Sequence, residues 1–160
     1  TSFHLGNTFC VLAALLLGGL PGGAAGAIGM GIADLMDPTY VVVAPKTMIL
    51  KLGIGIVTGY VAHRIFHIQH LKGKDLMKAV ILSTTAGMLF NVVGEPIFSY
   101  FYTAFILGAP ENAAMTLASW NAITTCVNAI LAIIIASAIY MSIAPRLQNN
   151  GVLKKIAPKE

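Results

Sequence analysis

GGLPGGAAGAIGMGIADLMDP, Gly18 to Pro38, is the stretch whose reading decides the fold of this chain. Seven of its residues are glycine, yet the run is apolar enough to sit in lipid. In water each glycine costs roughly 1 kcal/mol against alanine inside a helix. In a bilayer, unpaired backbone groups cost more than that, so a helix is still predicted. Gly22, Gly26 and Gly29 recur at spacings of four and three, which places them near one helical face. Small residues in that pattern let another backbone approach closely. Asp34 then puts a carboxylate near the far end of the run. The stretch reads as a tightly packed central helix ending at a polar site.

Composition agrees with a membrane setting. The 160 residues are 57% hydrophobic and 10% charged, against about 25% charged in soluble domains. Mean hydropathy is +0.81. The expected class is all-α, a polytopic transmembrane helix bundle over residues 1–145, followed by a basic cytoplasmic tail, 146–160, that frays. The net charge of +4 is gathered in two loops rather than along a face, which argues against a nucleic-acid partner. Cys10 and Cys126 lie in apolar runs without metal or redox spacing and read as small buried hydrophobes. The chain starts at Thr1 without the basic leader of a signal peptide.

A membrane helix needs about 17–25 apolar residues. Five segments qualify or nearly do: Phe9 to Leu20, Gly22 to Met36, Pro45 to about Phe66, Leu76 to about Leu107, and Ala113 to Ile143. Gly18–Gly22 predicts a tight turn, and Pro45 suits a first helical turn. Gly94-Glu95-Pro96 predicts a break in the fourth segment. Arg64, Lys72, Lys74 and Lys78 fall on one side, with Arg146, Lys154, Lys155 and Lys159. By the positive-inside rule that side is cytoplasmic. Five crossings from an outer start predict one further helix before Thr1. No internal repeat and no inverted pair of broken helices is evident.

Charged groups at membrane depth cost about 2.5–3.5 kcal/mol, which singles out Asp34, Lys51 and Glu95. The simplest reading of the first two is a structural ion pair, Asp34–Lys51, tying neighbouring helices. Asn91, Glu95, Ser99 and Tyr102 lie on one face of the fourth helix. Asn121, Thr124, Thr125 and Asn128 form a second polar stripe on the fifth, beside Trp120. Polar stripes in membrane helices face the interior or a water-filled cavity, and two with aromatics describe a small-molecule pocket. His4 either caps the first helix or lines that pocket. His63, His67 and His70 read as an interfacial or solvated face. No phosphate-cradling loop, zinc-protease helix or nucleophile turn is present. The reading is therefore non-enzymatic, with no metal and no cofactor. An autonomous proton- or cation-coupled carrier using Glu95 and Asp34, or a membrane scaffold without transport, are the alternatives.

His4-Leu5-Gly6-Asn7, a leucine-rich helix, a glycine-rich helix ending Ala33-Asp34-Leu35, then Ala44-Pro45-Lys46-Thr47 with Lys51 and Gly53, form an ordered series. It resembles the substrate-binding S components of energy-coupling factor (ECF) vitamin transporters, nearest the riboflavin, pyridoxine, hydroxymethylpyrimidine and pantothenate group. The motifs cover about Phe3 to Gly59, and the rest matches by helix pattern. The resemblance implies a six-helix subunit in a bacterial plasma membrane that captures a vitamin from outside. Its implied partners are the vitamin, a transmembrane coupling subunit and two cytoplasmic ATPase subunits. Tyr40, Lys46, Asn91, Glu95, Trp120 and Asn121 are the implied substrate contacts, with His4 and Asn7 at the outer start of a helix. Lys46 departs from the small or uncharged residue frequent at that slot. The glycine face of the opening stretch either seats neighbouring helices or offers a smooth surface to the coupling subunit.

Overall fold

The computed structural model describes residues 5–158, and among these it is helical with short connections. Five principal helices follow in order: α1 (Gly6–Leu17), α2 (Gly19–Met36), α3 (Ala44–Tyr60), α4 (Gly73–Phe101) and α5 (Glu111–Asn149). A short α6 (Val152–Ile156) closes the chain. The fold is an all-α helical membrane bundle, as expected. Among the described residues, three helical stretches are long and apolar enough to cross a bilayer: Val41–Ile65, Gly73–Ile106 and Glu111–Asn149. α1 has 12 residues, about 18 Å at a rise of 1.5 Å per residue. α2 has 18 residues, but its glycines dilute its hydropathy.

Gly18 alone separates α1 from α2. Its φ of 95° is open to glycine at little cost, and the turn is tighter than the Gly18–Gly22 turn expected. α2 is thereby laid back along α1 and also packs extensively on α3. The glycine face expected from Gly22, Gly26 and Gly29 is only partly used. A Cβ at Gly22 would strike the backbone of Ala14, and one at Gly26 would strike the Cys10 side chain, whereas one at Gly29 would meet nothing. The second seam is closer still. Gly19 and Gly23 of α2 lie backbone to backbone against Gly59 and Gly55 of α3. Two four-residue glycine spacings thus interlock, the small-residue mode of membrane helix packing.

The break expected at Gly94-Glu95-Pro96 does not occur. α4 runs through Pro96 without interruption to Phe101. Proline removes one backbone donor, a loss that neighbouring helices and local adjustment absorb in membrane proteins. The irregularity comes later, as a wide π turn over Tyr102–Ile106, matched by another over Val61–Ile65 after α3.

The tail does not fray over its described residues. α5 continues past Pro145 to Asn149, and Leu153 and Ala157 are buried. The Gln69 amide donates to the Pro158 carbonyl at 3.2 Å, and Pro158 covers Gly18. His63, expected on an interfacial or solvated face, is buried and donates from Nε2 to the Ala14 carbonyl at 3.2 Å. His67 and His70 are exposed. One apolar cluster, built on Leu15, Ile68, Val80 and Tyr140, fills this basic end of the bundle. A second, built on Val11, Ile54, Met88 and Ala132, fills the middle. The opposite end, where α2 stops and α3 starts, is the polar one.

Candidate functional site

At that polar end the helices enclose a cavity of about 460 Å³. Every principal helix contributes to it. α1 gives Asn7, α2 gives Asp34, and the connection to α3 gives Asp37, Thr39 and Tyr40. α3 gives Lys46, Thr47 and Lys51. α4 lines it with Asn91, Glu95 and Ser99 at steps of four, the π turn after it adds Thr103, and α5 gives Leu117, Asn121, Thr125 and Asn128. Three members of each polar stripe read from the sequence, Asn91, Glu95 and Ser99 on one and Asn121, Thr125 and Asn128 on the other, therefore line one space.

Three contacts organise the lining. Lys46 Nζ donates to Glu95 Oε1 at 2.6 Å, an ion pair joining α3 to α4. Asn121 Nδ2 donates to Ser99 Oγ at 2.6 Å and joins α5 to α4. Deeper in, the Lys51 ammonium donates to Asn7 Oδ1 of α1. The expected Asp34–Lys51 ion pair is not formed among the described residues. Lys51 instead reaches the start of α1, where the Asn7 amide oxygen accepts its hydrogen bond, while Asp34 Oδ2 is shut from water without a hydrogen bond. The Lys51 charge still lies within electrostatic reach of the Asp34 and Glu95 carboxylates.

Of the expected substrate contacts, Asn7, Tyr40, Lys46, Asn91, Glu95 and Asn121 all line the cavity. His4 lies outside the described residues. Trp120 does not join them. It is 62% exposed and sits in a shallow depression on the outer surface of α5 with Asn112, Met115 and Ile123. Adjacent helical residues are turned about 100° apart, so Asn121 and Trp120 cannot share a face. Tyr102 likewise misses the cavity and donates its hydroxyl to the Val42 carbonyl at 2.7 Å, clasping the connection before α3. Thr124 bonds back to the Trp120 carbonyl. Thr103 was missed, although continuing the step of four from Asn91, Glu95 and Ser99 reaches it.

A helical membrane bundle with a buried, mixed-charge cavity open at one end is the architecture of a membrane protein that binds a small polar molecule. The family model described as ECF-type riboflavin transporter, S component, matches residues 1–145. The chain belongs to that family and is a vitamin-type substrate-binding membrane subunit, in a family of transporter components rather than enzymes. Comparison with curated proteins and with solved structures finds no significant match.

Proposed function

We propose that the cavity captures one small water-soluble vitamin or vitamin precursor, a pyridoxine-like or hydroxymethylpyrimidine ring ahead of pantothenate or riboflavin. The observation that carries this reading is the polar cavity of about 460 Å³ in a chain of this family. Small-molecule sites usually measure about 300–1,000 Å³. The lining favours a compact ring bearing both donors and acceptors. Asn91 and Asn121 offer amides, Ser99 and Thr125 hydroxyls, and Lys46 with Glu95 a charge pair that a ligand can bridge. Tyr40 is the aromatic lining residue in place of Trp120, so polar contacts carry more of the recognition than stacking.

The cavity opens to the outer face in this reading, because Arg64, Lys72, Lys74 and Arg146 gather at the other end. As the family implies, import driven by ATP would run through a transmembrane coupling subunit and two cytoplasmic ATPases. The test is thermal unfolding of the purified protein, without ATP, against a panel of B-group vitamins and precursors. A true ligand at 100 times its dissociation constant adds about 2.7 kcal/mol of stability. A panel that leaves the melting temperature unmoved throughout returns the chain to the scaffold reading.

A further inference from the structure

Asp34 is unexplained by the packing. It is 9% exposed, lines the cavity, and holds one carboxylate oxygen shut from water with no hydrogen bond. Such a carboxylate is unfavourable where it stands, because a buried charge needs a partner. The neighbouring cation does not supply one, since Lys51 Nζ donates to Asn7 Oδ1 instead. The other cavity cation, Lys46, is matched with Glu95. A carboxylate and an ammonium thus border one space without touching each other. An ammonium has three donors, and Asn7 takes one of them.

We propose that Asp34 and Lys51 form a two-sided ligand subsite, in which the ligand gives a hydrogen-bond donor to Asp34 and turns an acceptor toward Lys51. The proposal deepens the vitamin-binding reading and rests on it. It assigns Asp34 to recognition rather than to bracing helices. The class of ligand it selects is a heteroaromatic ring with an N–H or O–H group beside a ring nitrogen or carbonyl. A ligand carboxylate has no donor for Asp34 and meets like charge there. A ligand donor reaching the cavity side of the carboxylate would offset part of the cost of an unpartnered buried anion.

The test titrates the full chain in detergent with hydroxymethylpyrimidine, pyridoxine, riboflavin and pantothenate, and repeats the titration on Asp34→Asn. Asp34→Asn is expected to melt within a few degrees of the unaltered protein when empty and to lose at least tenfold in affinity for the probe that binds. Removing one donor from that probe supplies an arm that needs no variant, for instance by replacing the exocyclic amino group of the pyrimidine with hydrogen or methylating the imide nitrogen of riboflavin. The altered probe is expected to lose a similar factor on the unaltered protein and little further on Asp34→Asn. Unchanged affinity in Asp34→Asn overturns this subsite and leaves the vitamin-binding reading standing. So does an empty Asp34→Asn chain that fails to fold, which returns Asp34 to bracing. So too does tight pantothenate binding that Asp34→Asn improves. If none of the four probes binds, the vitamin-binding reading fails and the subsite fails with it.

Discussion

At the scale of single residues, the Lys46–Glu95 pair and Trp120 make opposite predictions. Breaking a buried ion pair from one side costs about 3–5 kcal/mol, because the remaining charge is left uncompensated. Glu95 is 19% exposed at its side chain, so cavity water relieves part of that. Glu95→Gln is therefore expected to lower stability by about 3 kcal/mol or less and to weaken ligand binding. Trp120→Ala is expected to leave affinity unchanged, since the indole lies on the outer surface of α5. Thermal unfolding and calorimetric titration of the two variants check both. A Trp120→Ala variant that loses affinity would put the binding site on the wrong face of α5. The sequence made Glu95 legible because a charge in an apolar run is expensive and must be used. It made Trp120 look equivalent to Asn121 because both are conspicuous and adjacent, and only the helical phase separates them. The partners of the charges were not legible. Lys51 finds Asn7, 44 residues away, and nothing in local spacing ranks that amide above the nearer Asp34.

At the scale of helices, glycine count predicted close packing, but which glycines pack depends on a register that one sequence does not reveal. Gly22 and Gly26 seat α1, and Gly19 and Gly23 meet Gly59 and Gly55 of α3. Gly29 faces open space. Gly55→Ala is expected to force the α2 and α3 backbones apart, at the roughly 1–3 kcal/mol of an overpacked core or more. Gly29→Ala should be neutral or stabilising by up to about 1 kcal/mol, because it gains helix propensity and meets no neighbour. Melting temperatures of the two variants in one detergent give the comparison, and equal losses would refute the interlocked seam. The same seam explains why α2 can be poor in large side chains and still pack tightly, although it packs mainly on α1 and α3 and leaves Leu20, Ile28 and Ile32 exposed, so it lies at the edge of the bundle rather than at the centre expected of it. Its surface is backbone, and backbone-to-backbone approach is what holds it. The continuity of α4 through Pro96 was misread for a related reason. Proline marks where a helix loses one bond, whereas the surrounding bundle decides whether it breaks there.

At the scale of the whole molecule, the two ends differ in chemistry, and on the proposed reading that difference sets the side from which the ligand enters. The cavity end holds Asp34, Asp37, Lys46, Lys51 and Glu95 among uncharged polar groups. The other end holds the exposed basic side chains Arg64, Lys72, Lys74 and Arg146, and the C-terminal segment folds back onto it through Gln69 and Pro158. By the positive-inside rule such a chain is expected to insert with its basic end inside, and on the proposed reading the cavity then opens outward. The bundle can be read for side by placing single cysteines at Thr39, exposed beside the cavity, and at Lys74, exposed in the basic loop. Cys126 is exposed and must first become alanine, while Cys10 is buried. In intact cells a membrane-impermeant maleimide is expected to label the cysteine at position 39 and to reach position 74 only after lysis. Labelling in the reverse order would turn the cavity toward the cytoplasm. A site filled from that side cannot be the capture site of an importer, so this one experiment bears on the direction of transport independently of which vitamin binds.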